Sequence, residues 1–455
     1  MNLEEVFKLI DEVPEYREFM TVDELNASSR KLAEKHPDSV QMLEIGQSRA
    51  GETIFALKIG NGARNALLFA MPHPNEPIGS MMLEFLSGRL AADESLRKEL
   101  DYTWYIVKCI DVDGTHLNEG WFKGPFSVTN YARHFYRPPG YQQVEWTFPF
   151  DYKTLHFDNP LPETRALMKL IEETRPDFMF SLHNSGFGGV YLYLSDDFKA
   201  FYPDFYKLVK SQDLPLHLGE PEVPYVRKYS DAIFGMISTT DSYDFIEENT
   251  DKDPAEILKQ GGSSYEYACR FGDPTYLVCE MPYFYNPAIH DTTPTDEIRR
   301  DVILQNLAAA RERFTFSQNQ YTKIEDKLTA DTPFKESVVN TLRNFIEQLA
   351  AQENWAKNDP SLSEKATRAE KFDNLLGTRF YHLLSMGMFL RMLKAQININ
   401  GADEALTTVM ATMEKAFKEE ADELEHQMYY HVIPIKKLVS VQLGCALLLC
   451  SRAKL

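Results

Sequence analysis

Four apolar runs constrain what this chain can fold into: NALLFAM (65–71), WYIVKCI (104–110), DFMFSLH (177–183) and TYLVCEMP (275–282). Each is too short and too continuously apolar for a surface helix, and reads as a strand buried on both faces. Between them lie stretches with apolar residues at helical spacing, IGSMMLEFLSGRLA (78–91) and PETRALMKLIEETRP (162–176). Upstream, SVQMLEIGQSRAGETIFALKIG (39–60) reads as two strands around a turn at Arg49, Ala50 and Gly51. YLYLS (191–195) is a further strand. Residues 1–36 read as helical, with Thr21 or Asp23 as an N-cap. Buried strands alternating with amphipathic helices predict an α/β fold: a mixed, largely parallel central sheet flanked by helices. Functional groups in such sheets gather at the C-terminal ends of the strands.

This pattern ends with the helix DEIRRDVILQNLAAARERF (296–314). From 318 onward strand signals vanish and long helical patterns follow, separated by the turn segments NDPSLS (358–363) and NINGAD (398–403). The expected division is an α/β catalytic domain over 1–317 and an all-α C-terminal domain over 318–455. A formal net charge of −20 argues against nucleic acid and anionic membrane surfaces as partners. The five cysteines show no disulfide framework and read as reduced, buried thiols. The N-terminus has neither a basic start nor a long apolar core, and LVSVQLGCALLLC near the C-terminus is short for a bilayer. A cytoplasmic protein is expected.

Three strand ends carry groups suited to one site. LLFAM runs into His73 and Glu76 between prolines, DFMFSLH ends on His183, and TYLVCEMP carries Glu280. Two imidazoles and a carboxylate form a catalytic zinc set that leaves a position for water, whose pKa the ion lowers. A further Glu can take the proton from that water and pass it to a leaving amine. Each signal alone has an ordinary explanation, such as a hydrogen-bonded core histidine. Their joint occurrence points to a hydrolase.

In order along the chain, EIGQSRAGETIFALKIG, HPNEP, IDVDGTHL, PLPETRALMKLI, FSLHNSG and GGSSYEYACRFGDPTYLVCEMP resemble the conserved segments of the M14-type zinc carboxypeptidases. The likeness covers about residues 20–317, although Thr53 stands where that family has Arg, and Asp111 and Val112 stand for its Asn-Pro. The resemblance implies one zinc ion on His73, Glu76 and His183, with Glu280 as general base and then acid. Arg137 or Arg133, in NYARHFYRPP, would stabilise the oxyanion, Arg137 being preferred for the prolines after it. The family's carboxylate clamp is absent, since QVEWTFP places Glu145 and Trp146 where Asn and Arg are usual. Glu145 is then a candidate for a positive or donor group of the substrate, Trp146 for stacking, and Tyr265 for the base of a shallow specificity pocket. Arg227 and Lys228 are alternative partners for a carboxylate.

The implied function is cleavage of an amide or peptide bond in a small peptide or modified amino acid. Two alternatives stand beside it: an N-acyl amino acid deacylase of the aspartoacylase–succinylglutamate desuccinylase type, and an inactive metal-binding interaction protein. The helical domain is expected to cover the cleft, bind a partner or form a homo-oligomer. His426 and His431 read as part of a solvated helical face.

Overall fold

The structure is a computed structural model that describes residues 1–452, apart from the side chains of 344, 346 and 347. The strands of the main sheet are β1 (Val40–Gln47), β2 (Thr53–Ile59), β3 (Arg64–Ala70), β4 (Tyr102–Val107), β5 (Phe178–His183), β6 (Tyr191–Leu194), β7 (Lys228–Ser230), β8 (Ile233–Gly235) and β9 (Thr275–Glu280). Their spatial order is β1-β2-β4-β3-β5-β9-β6-β8-β7. The middle pairs, β4-β3, β3-β5 and β5-β9, are parallel, while β1-β2, β2-β4, β9-β6 and β8-β7 are antiparallel. Every residue of β5 and β9 is buried, as continuous apolar runs require of central parallel strands.

Nearest the sheet lie α1 (Leu3–Asp11), α2 (Val22–Lys35), α3 (Ile78–Ala92) and α4 (Pro162–Thr174). Thr21, not Asp23, caps α2, and the Glu24 side chain completes a capping box. Along β5 and β9, alternate residues face opposite sides. Leu182 and Cys279 share one side; Ser181, His183, Val278 and Glu280 share the other. Helix α3 meets Leu182 at Gly79, where a Cβ would lie 2.4 Å from the Leu182 Cβ. Only glycine permits that approach, and it fixes α3 immediately beside His183.

The helical region consists chiefly of α5 (Arg299–Thr322), α6 (Pro333–Asn358), α7 (Thr378–Asn400), α8 (Glu404–Met428) and α9 (Ile435–Cys450). Three details differ from the sequence reading. No helix breaker stands near 317, and α5 runs straight through that position. Strands do occur after 318: Lys365–Thr367 pairs with Pro294–Ile298, and His431–Val432 with Phe284–Tyr285. Two- and three-residue strands carry too little periodicity to read. Helix α9, the apolar LVSVQLGCALLLC stretch, packs on α1, α3, β5 and β9, and its Gln442 side chain donates to the His183 and Cys279 carbonyls at 2.9 and 3.3 Å. No helix among the described residues is long and apolar enough to cross a membrane. The cysteines are free; four are buried, but Cys269, in the turn after the helix Ser264–Ala268, is exposed.

Candidate active site

At the end of β3 the chain must turn sharply, and Met71 takes a left-handed conformation (φ 56°) to do so. Such a residue costs about 1–3 kcal/mol and persists only when its surroundings fix it. Here the Asp111 N–H donates to its carbonyl, and the Thr115 hydroxyl meets its sulfur. The turn folds HPNEP back over the strand ends. The Asn184 side chain, one residue past His183, then accepts from the Ile78 N–H at the start of α3, and the Asn184 N–H donates to Glu76. The two halves of the site are thereby tied together.

His73 Nδ1 lies 3.1 and 3.2 Å from the Glu76 carboxylate oxygens, His183 Nδ1 lies 3.0 Å from Glu76 Oε2, and the two Nδ1 atoms are 3.1 Å apart. Ligand atoms 2.0–2.1 Å from one tetrahedral zinc ion would stand about 3.4 Å from each other. Two ring nitrogens and a carboxylate converging so closely could hold a metal ion, and their spacing fits zinc. All three side chains are buried. Burial, helped by Arg137, pushes the His73 imidazole down to about 3, against the pull of Glu76. Burial alone would raise the Glu76 carboxyl; His73, His183 and Arg137 more than offset it and hold it well below its usual range. A neutral imidazole beside an ionised carboxylate is the state a metal requires of its ligands.

Sheet register places the rest. Glu280 pairs with His183 across β9-β5 and with Tyr191 across β9-β6, so the three side chains form one row on the cleft floor. Tyr193 follows two residues on. Glu280 Oε1 lies 3.9 Å from His183 Nδ1. Burial pushes its carboxyl well above the usual range; repulsion from Glu222 and Glu76 adds to this, and Arg137 opposes it.

His183 is braced from behind. Its Nε2 lies 2.8 Å from the Ser181 hydroxyl, which donates to Glu145 at 3.1 Å. The other Glu145 oxygen accepts from the Ser264 N–H and hydroxyl. Glu145 is buried, and although it lines the cleft, both of its oxygens are engaged by Ser181 and Ser264. His73 has no such brace, its Nε2 being without a partner among the described residues.

Arg137 donates to Glu76 at 3.0 Å and is the only lysine or arginine among the described residues lining the cleft. Arg133 points elsewhere: Glu414 of α8 holds its guanidinium at both nitrogens, over the Phe417 ring, which excludes it from the oxyanion role. Trp146 lines the cleft. Tyr265 does not; it packs edge-on to Tyr276, which corrects its assignment to the pocket base. Lys228 lies exposed on the edge strand and Arg227 just before it; His426 is exposed on α8 as expected, while His431 is exposed on a two-residue strand and not on the helix. Arg49, in the IGQSRAG segment, joins the buried Asp111 and Glu163, both at 3.2 Å, so three of the resembling segments meet in one ion cluster.

The cleft holds about 510 Å³. Its roof comes from the helical region: a widened π turn at Asp373–Gly377, then Thr378, Tyr381 and Leu384 of α7. Phe380 seats this roof against Gly186, where a Cβ would lie 2.4 Å from the ring. The roof residues, His217 and Glu222 went unnoticed in the sequence. Tyr191 and Tyr193 alone left a signal there, two phenols on one face of a strand.

The family model for zinc carboxypeptidases matches residues 25–300, and the chain belongs to that family. Membership supports a metallocarboxypeptidase-like hydrolase of a zinc-dependent kind. Among solved structures, carboxypeptidase A from Helicoverpa armigera is 15% identical over 63% of this chain and 73% of that one, with a TM-score of 0.40. Metallo-carboxypeptidase from Burkholderia cenocepacia is 19% identical over 58% and 60%, with a TM-score of 0.33. No curated protein matches the chain.

Proposed function

We propose that the protein is a zinc-dependent hydrolase of an amide or peptide bond in a small substrate. The observation that carries this reading is the convergence of His73, Glu76 and His183 with Glu280 in the adjoining register position. When bound there, zinc supplies Lewis acidity that polarises a carbonyl and lowers the pKa of a water. Glu280, facing the same space, takes a proton from the attacking water and returns it to the leaving nitrogen. Arg137 presents guanidinium N–H groups toward the oxygen where charge develops. The helical roof narrows the cleft and favours short substrates.

The test pairs metal analysis of the full chain with the Glu280→Gln variant. One zinc per chain is expected, and the variant should keep its zinc while hydrolysis falls by about 10²-fold or more. Lack of stoichiometric zinc, or unchanged hydrolysis in the variant, overturns the reading.

A further inference from the structure

The charges lining the cleft do not balance. Glu76 is paired with Arg137, Glu220 with Arg299, and Asp373 faces His217 at 3.5 Å. Glu145 is satisfied by two serines. Glu280, 3.9 Å from His183 Nδ1, belongs to the row already described, and among the other acids Glu222 stands apart. Its two oxygens accept from the hydroxyls of Tyr191 at 2.5 Å and Tyr193 at 3.0 Å, and among the described residues no basic side chain pairs with it. The tyrosines occupy alternate positions on β6, and Tyr191 is the register neighbour of Glu280. Two neutral phenols therefore fix a carboxylate at a set place on the cleft wall, near the row that carries Glu280.

A second observation points to a ligand. Asn75 Oδ1, Asn184 Nδ2 and Ser185 Oγ have no hydrogen-bond partner among the described residues, and all three residues line this cleft. Each is more than nine-tenths buried, with 4%, 3% and 7% of its surface exposed. Unpaired buried polar atoms are costly, and a polar ligand with both donors and acceptors would satisfy them. Meanwhile QVEWTFP offers no basic pair for a substrate carboxylate.

We propose that Glu222, held by Tyr191 and Tyr193, is a recognition site for a cationic nitrogen of the substrate, an alkylammonium or guanidinium group. This rests on the hydrolase reading for the identity of the cleft and names the substrate class it selects. A cation at Glu222 forms charge-assisted hydrogen bonds. Tyr191 and Tyr193 meet that carboxylate through their hydroxyls, and Tyr381 lines the same cleft. A single carboxylate whose oxygens are already engaged by phenols is a poor metal site, which distinguishes it from the histidine cluster.

The experiment is calorimetric binding to the full chain of Nα-acetyl-lysine amide and Nα-acetyl-norleucine amide, which differ in the terminal ammonium. The wild type should bind the lysine compound at least about tenfold more tightly. In Glu222→Gln that preference should fall below threefold, with norleucine-compound binding unchanged as the check on folding. Added salt should narrow the wild-type preference. Equal affinities, no measurable binding of the lysine compound, or a preference that survives Glu222→Gln overturns the proposal. Hydrolysis without the preference defeats this inference alone. A Glu222-dependent preference in a protein without zinc or hydrolysis defeats the hydrolase reading alone.

Discussion

Replacing Ser181 with alanine tests whether the brace behind His183 sets the affinity of the metal site. With Nδ1 turned toward Glu76 and His73, the ring proton belongs on Nε2, where it donates to the Ser181 hydroxyl at 2.8 Å. The Ser181 hydroxyl in turn donates its own hydrogen bond to Glu145 at 3.1 Å. His183 is only 4% exposed, so water cannot replace the lost acceptor. Leaving a buried N–H unmatched costs about 1–3 kcal/mol. Glu145 loses one donor but keeps the two from Ser264. The alanine itself removes one oxygen and opens little space. The cost falls on the ring orientation that zinc binding uses, so zinc affinity should drop about 10- to 100-fold. Competition against a chelator of known affinity, on the full chain, reads this directly. His73→Ala, which removes a ligand outright, gives the scale of complete loss. Zinc affinity within twofold of wild type in Ser181→Ala would refute the brace, and His183 would then owe its orientation to backbone packing alone.

Two further outcomes follow from the roof. His217 is pulled down by burial, but Asp373 and the Glu220 carbonyl more than offset this and leave its imidazole above the usual histidine value. A raised folded pKa means that its stabilisation is complete below about pH 6.5 and is lost as pH rises through the folded value; His217→Asn should flatten that part of the melting-temperature profile, and an unaltered profile counts against the pairing. Gly387 of α7 lies where a Cβ would stand 1.9 Å from the Ala132 carbonyl oxygen. Gly387→Ala should therefore cost about 1–3 kcal/mol in denaturant unfolding and loosen the roof; a change under about 0.5 kcal/mol would show that α7 is not docked this closely.

What the sequence disclosed and what it hid divide along a physical line. The strands β3, β5 and β9 are buried on both faces, so their composition alone marked them, and with them the ends that carry His73, His183 and Glu280. Burial is a property of a residue's own neighbourhood in the chain when an entire run is buried. Pairing is not. Glu145 and Trp146 are adjacent in sequence and both line the cleft, yet Glu145 is held by Ser181 and Ser264, a pairing that nothing local discloses. Arg133 and Arg137 differ for the same reason: the choice is made by Glu414, some 281 residues from Arg133, and by Glu76. The roof is the extreme case. Tyr381 and Asp373 reach the cleft only because Phe380 finds a glycine after His183, and because α7 finds a gap at Ala132 wide enough for Gly387 alone. Each of those contacts joins groups more than 190 residues apart, where helical periodicity can say that a face is buried but not against what. The floor of this cleft was therefore legible in the sequence, while its walls, where Glu222 meets its two tyrosines, were not.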